Sequence, residues 1–373
     1  MKEKVNSFRV TRKEGLITIP YFLISIIFTL LYKMPSVKVK EIRASVPAKV
    51  ILFGEHFVVY GKRALAAAIN RRLTVEVSSR EKSGYHVKIE NIPTFGLELD
   101  LEERRGGKAL TYKDFSSATR AIAYVKAAIE YLEERYGIGR EGVEIEIKSE
   151  IPLSAGLGSS AATCVATIAA LKGYFGVKGD VEGIRNDAHN VEKLVQGAAS
   201  PIDTAISTYG GYVLVERNEV KRLQLPELDL IVGCIGSIPL SMDTTKAAEL
   251  GLKTKTLVAG VRERRELFTS IFNPLFDAAD ELTAEAIRAI EDGDCARLGA
   301  LMNINHGLLD AIGVVPRRLS ELVKVSQELG ALGAKVTGAG GLDEMGSVGS
   351  VLVLPGESGA RIRAAMEITD ALV

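Results

Sequence analysis

A chain of 373 residues has room for two domains and a substantial core, and 47% hydrophobic with 25% charged residues is ordinary for a globular enzyme. Lys+Arg and Asp+Glu both number 47, and the resulting net charge of zero excludes a general binder of nucleic acid or of membrane surfaces. Three separated cysteines (Cys164, Cys234, Cys295) and four single histidines (His56, His86, His189, His306) exclude a disulfide framework and a readable zinc site, and they fit a reducing cytoplasm.

The first 33 residues stand apart. Leu16–Tyr32 is almost wholly apolar, with Lys2, Lys4, Arg9, Arg12 and Lys13 before it. At seventeen residues it sits at the lower limit of a membrane span, ~17–25. As a signal peptide it lacks a clear cleavage site. As an anchor it would hold the N-terminus in the cytoplasm and send the remainder outside. The third reading, favoured here, starts the protein at Met34, so that removing residues 1–33 leaves function intact.

Val46–Phe53 reads as a buried strand, followed by a turn at Gly54-Glu55-His56 and strands at Leu73–Ser79 and Tyr85–Glu90. Thr111–Tyr136 reads as a helix. Val143–Ile151 is a strand that runs through PLSAGLGSSAA (Pro152–Ala162) into a helix at Ala161–Tyr174. Val181–Gln196 is helical, Ala198–Pro201 ends it, and Thr208–Val215 is a strand. A second block follows, with a strand at Leu228–Ile235 and helices at Thr256–Thr269, Phe276–Asp292, Ala296–Ala311 and Pro316–Leu329. Ala334–Val336, a glycine-rich turn, Ser350–Leu354 and a helix over Ser358–Leu372 close the chain. Close strand pairs favour a mixed α+β architecture over a doubly wound sheet.

Four segments carry chemistry. In Pro152–Ala162, glycines let backbone approach a ligand and helix-terminal N–H groups point at an anion. It is not a Walker loop, because no lysine follows, and a third Rossmann glycine is absent. The plain alternative is a tight turn with Ser159 or Ser160 as helix cap. Glu192 and Asp203 are acids suited to holding a cation and accepting a proton, although each alone also reads as a solvated helix residue or a turn residue. Lys49 lies inside an apolar strand, where burial without a partner is costly. Lys335–Gly341, KVTGAGG, is a second glycine-rich turn.

Together these segments resemble the GHMP kinase superfamily, in the family's order, from Ser45 to Val373. Pro47–Ile69 (PAKVILFGEHFVVYGKRALAAAI), Val191–Gly211 and Gly307–Val314 look like its archaeal-type mevalonate kinase members. The resemblance implies a two-domain fold, with an N-terminal domain like ribosomal protein S5 domain 2 and a ferredoxin-like C-terminal domain. The expected division is an extension at 1–43, an N-terminal domain at 44–222 and a C-terminal domain at 223–373. The implied activity is ATP- and Mg²⁺-dependent phosphorylation of the 5-hydroxyl of (R)-mevalonate in isoprenoid synthesis. Alternatives are another acceptor (phosphomevalonate, or the mevalonate 3-hydroxyl) and a non-catalytic ligand sensor.

Carried over by resemblance, Asp203 and Lys49 are catalytic, and Ser160 and Glu192 hold the metal. Pro152, Leu153, Ser154, Ala155, Gly156, Leu157, Gly158, Ser159, Ser160, Ala161 and Ala162 hold ATP. Glu55, His56, Thr337, Gly338, Ala339 and Gly340 meet the substrate. Implied partners are small molecules only, with no nucleic acid or membrane, a cytoplasmic setting and a homodimer. One departure stands out. The family's TGAGGGGC is here TGAGG followed by LDEMGSVGS, which displaces glycines to Gly346 and Gly349.

Overall fold

Apolar, β-branched residues make the strand at Val46–Phe53 the second part of a longer one that starts at Glu41. A computed structural model of the chain describes residues 9–11, 41–90, 97–101, 116–139, 142–152, 155–197, 199–217, 219–235, 244–341, 349–369, 371 and 373. The apolar segment Leu16–Tyr32 and the irregular stretch 342–348, with Gly346, lie outside these residues. Among the described residues no helix is long and apolar enough to cross a membrane.

The first sheet begins with β1 (Arg9–Thr11), which pairs antiparallel with β2 (Glu41–Phe53). β2 pairs in turn with β3 (Ala64–Ser79). β4 (Gly84–Glu90) and β5 (Leu97–Leu101) continue it, and β6 (Gly142–Ser149) inserts between β3 and β4, parallel to β4. β7 (Tyr212–Glu216) pairs with the start of β3, and β8 (Glu219–Leu223) with β7. One parallel pair among antiparallel neighbours agrees with the mixed α+β expectation. Pro47 cannot donate to the ladder, and the β2–β3 register shifts between Pro47 and Ala48.

Four helices pack against this sheet: α1 (Ser116–Tyr136), α2 (Ser159–Tyr174), α3 (Val181–Gln196) and α4 (Pro201–Tyr209). α2 is buried continuously from Ala161 to Lys172. A helix apolar all round belongs in a core. Its alanines let β2, β3, α1, α3 and α4 all approach it.

The second unit starts at β9 (Ile231–Ile235), followed by α5 (Thr244–Leu267), α6 (Thr269–Glu291), α7 (Cys295–Ala311) and α8 (Arg317–Glu328). β10 (Gly333–Thr337), β11 (Gly349–Leu354) and α9 (Gly359–Ile368) complete it. The sheet order is β10-β11-β9, all antiparallel. Strand, helices, strand, strand, helix is the ferredoxin-like β-α-β-β-α-β sequence less its final strand, among the described residues. The Arg63 guanidinium clamps Asp280 of α6, at 2.7 Å from Nη2 to Oδ2 and 3.1 Å from Nε to Oδ1, joining the two halves.

Several boundaries differ from expectation. Pro201 begins a helix instead of marking the end of one. Ser200 caps that helix through the Ile202 N–H, and Pro201 takes the first helical position, where no N–H is needed. Thr208 and Tyr209 therefore end α4, and the strand starts at Tyr212. α6 runs through Pro274, which sits near its start. The expected helix at Phe276 was the continuation of that segment.

Candidate active site

The helix expected at Ala161 starts at Ser159, and its cap is neither serine. Gly158 caps it at φ 81°, with no side-chain hydrogen bond. A Cβ there would lie 2.8 Å from Cγ of Lys49, so only glycine lets the lysine stem pass. The first N–H groups of α2 have no intrahelical acceptors, and they open toward the loop Ala155–Gly158. Leu157 accepts a 3.1 Å bond from the Lys49 N–H, which fixes the loop to β2. Leu153 and Ser154 lie outside the described residues, and Pro152 is half-buried.

Lys49 is 3% exposed, and its Nζ stands 3.2 Å from Oδ1 of Asp203 in the first turn of α4. The cost of burying the lysine is met by this ion pair. Asp203 keeps 31% of its side chain exposed, so it faces both the lysine and open space.

Glu192 is buried in the last part of α3, not solvated. Burial, reinforced by the charge of Asp203 and opposed by Lys49, pushes its carboxyl up to about 8. Oε1 accepts 3.2 Å from Gln196 Nε2, and Oε2 is buried without a hydrogen-bond partner. Gln196 Nε2 also donates 2.9 Å to the hydroxyl of Tyr124 on α1. Among the described residues no group of three or more His, Cys, Asp or Glu gathers to hold a metal alone. An orphaned carboxylate oxygen beside an anion-binding helix start instead fits a hard cation whose remaining ligands come from phosphates and water.

The glycine turn after β10 closes over the phosphate loop. A Cβ on Gly338 would lie 3.0 Å from the Gly156 carbonyl oxygen, so the two backbones touch. Ser350, opposite Thr337 in the β10–β11 register, donates 2.6 Å to the Ala155 carbonyl. Thr337 donates 2.8 Å to the Ile51 carbonyl and accepts 3.1 Å from the Ile51 N–H. At 2% exposure it braces β2, contrary to its expected place against a substrate. Gly340 packs on the Val314 carbonyl.

Glu55 also departs from expectation. It is 1% exposed; Lys335 takes one carboxylate oxygen, and Asn305 donates 3.2 Å to the other. Both partners come from the second unit, so Glu55 is an internal strut with no surface for a substrate. Its neighbour His56 has φ 62° and is held by Nε2 against the Ala339 carbonyl at 2.9 Å. Burial lowers its pKa, so the ring is neutral near pH 7, and Nδ1 is left buried without a partner. His56 and Ala339 are thereby brought together.

Tyr124, Gln196, Lys335, Asn305 and Ser350 went unread in the sequence. Their contacts join distant segments, and only Gln196, four residues beyond Glu192 on a helix, carried a local signal.

A glycine-capped helix start, a Lys–Asp ion pair and a buried glutamate come together on this α+β frame, which is the frame of the GHMP kinases. The model for the GHMP kinases N terminal domain matches residues 123–211, and that for the GHMP kinases C terminal matches residues 285–343. A mevalonate kinase of Thermococcus sibiricus is 41% identical over 306 residues, covering 81% of this chain and 87% of the relative. The crystal structure of Methanococcus jannaschii mevalonate kinase superposes with a TM-score of 0.69 at 25% identity, over 88% of this chain and 96% of that one. L. major mevalonate kinase in complex with R-mevalonate also gives 0.69, at 26% identity, over 86% and 89%. The chain belongs to the mevalonate kinase family of GHMP kinases.

Proposed function

We propose that this chain transfers the γ-phosphoryl group of ATP to the 5-hydroxyl of (R)-mevalonate, giving 5-phosphomevalonate and ADP. The observation that carries the reading is the Lys49–Asp203 pair beside the start of α2, with the orphaned oxygen of Glu192 next to it. Relatives of this degree of identity act as mevalonate kinases.

In this reading the N–H groups at the start of α2 and the Ala155–Ser160 loop hold the ATP phosphates. Glu192 and Ser160 hold Mg²⁺, which neutralises charge on the phosphates when bound. Asp203 orients the attacking hydroxyl and receives its proton, while Lys49 keeps Asp203 in place and lowers the energy of the oxygen as it becomes nucleophilic. Positioning and charge neutralisation supply most of the rate, as in phosphoryl transfer generally. His56, Gly338 and Ala339 border the acceptor. The working units are 44–222 and 223–373, with the site at their junction. Residence in the cytoplasm, where ATP is available, and assembly as a homodimer belong to the same reading.

A coupled ADP-release assay with Mg-ATP and a panel of mevalonate, phosphomevalonate, homoserine and galactose tests it. Turnover is expected with mevalonate, and its absence there would remove the reading.

A further inference from the structure

We propose that Tyr124 and Gln196 are positioning residues that hold one oxygen of Glu192 and leave the other free for the metal of the bound nucleotide. The inference rests on the metal roles given above to Ser160 and Glu192.

Those two residues lie on different helices, α2 and α3, and a third helix, α1, supplies Tyr124. A side-chain amide carries two N–H donors. The Gln196 amide spends them on Oε1 of Glu192, at 3.2 Å, and on the Tyr124 hydroxyl, at 2.9 Å. A chain of hydrogen bonds therefore runs Tyr124–Gln196–Glu192. Tyr124 is 5% exposed and Glu192 3%, so water does not compete freely for these bonds.

The chain accounts for a feature that packing alone does not. Glu192 has one oxygen satisfied and one, Oε2, buried without any partner. An unpaired buried carboxylate oxygen is costly, and it is expected where a ligand completes the site. The amide of Gln196 decides which oxygen is spent, and the Tyr124 hydroxyl holds that amide. Outer partners of this kind hold metal ligands in orientation, and losing one typically weakens metal affinity 10–100-fold, by roughly that span.

The test uses the full chain with ADP and Mn²⁺, the free ion being followed by electron paramagnetic resonance. Tyr124→Phe keeps the ring and removes the hydroxyl, and Gln196→Leu keeps the volume and removes the amide. Each variant is expected to bind Mn²⁺ roughly 10-fold or more weakly than wild type. The double variant should be little worse than the weaker single one, because both cut the same chain. Turnover should shift to a higher Mg²⁺ requirement, with most of kcat regained at saturating Mg²⁺. Thermal unfolding checks that both variants fold, and Tyr124→Phe stands as the conservative case if Gln196→Leu does not. Unchanged Mn²⁺ affinity in a folded Tyr124→Phe protein would overturn the proposal. A wild-type protein that binds no Mn²⁺ with ADP would overturn the metal roles of Ser160 and Glu192 themselves, a failure visible in the control arm alone.

Discussion

Nζ of Lys49 stands 3.2 Å from Oδ1 of Asp203, with the lysine buried and the aspartate partly open. The asymmetry separates two effects. Asp203→Asn removes the proton acceptor of the proposed reaction and takes the charged partner from a buried ammonium. Lys49→Met leaves an aspartate that water can still reach. Both variants should lose roughly 10²-fold or more in kcat while retaining nucleotide binding. Asp203→Asn should lower the melting temperature more than Lys49→Met does. ADP release, nucleotide titration and thermal unfolding on the two proteins check this, and equal melting temperatures would argue against the burial account.

Gly158 and Gly156 share a positive φ but not the same surroundings. A Cβ on Gly158 meets Lys49 Cγ at 2.8 Å, whereas one on Gly156 meets nothing nearer than Gly338 Cα at 3.7 Å. Gly158→Ala should displace Lys49 and reduce kcat by at least about 10-fold beyond the effect of Gly156→Ala, since misplacing a catalytic group is more costly than backbone strain alone. Steady-state kinetics on the two variants make the comparison.

The carboxyl of Glu192, raised to about 8 mainly by burial, makes a pH-dependent prediction for the metal-free protein. Below about pH 4.5 the group is protonated both folded and unfolded. Between there and pH 8 the unfolded chain ionises first, so rising pH draws stability away from the fold. Glu192→Gln removes this term. Its unfolding free energy in chelator should exceed that of wild type by an amount that grows across pH 5–8, on the order of a few kcal/mol in total. Binding of Mg-nucleotide at pH 7 should release protons from wild type and not from the variant, as calorimetry in buffers of different ionisation enthalpy would show.

Glu55 and Lys335 form a buried ion pair across the two halves, with side chains of 0% exposure. Lys335→Met strands a buried carboxylate and should cost roughly 3–5 kcal/mol in urea unfolding. The double variant Glu55→Leu/Lys335→Met should recover most of that loss. Failure to recover would mean that the pair contributes more than mutual neutralisation.

The parts legible in the sequence were those whose chemistry is local. Gly156, Gly158 and the serines after them announced a glycine turn into a helix start, and a lysine in an apolar strand announced a buried partner. Glu192 and Asp203 were chosen by resemblance, because spacing alone left each a plausible surface residue. The role of Glu55 was misplaced because its partner, Lys335, lies 280 residues away along the chain. α4 was missed even though Ser-Pro carries a cap followed by a first-turn proline, a start signal that also looks like a stop. β8, EVKRL, is a largely exposed edge strand whose charges hid it.

The most direct test of the account is phosphorylation of (R)-mevalonate by the wild-type chain beside Asp203→Asn, with products identified by ³¹P nuclear magnetic resonance and nucleotide binding measured on both. The account predicts 5-phosphomevalonate formed mole for mole with ADP by wild type, and none by a variant that still binds nucleotide. No product from wild type, or full activity in Asp203→Asn, would contradict it.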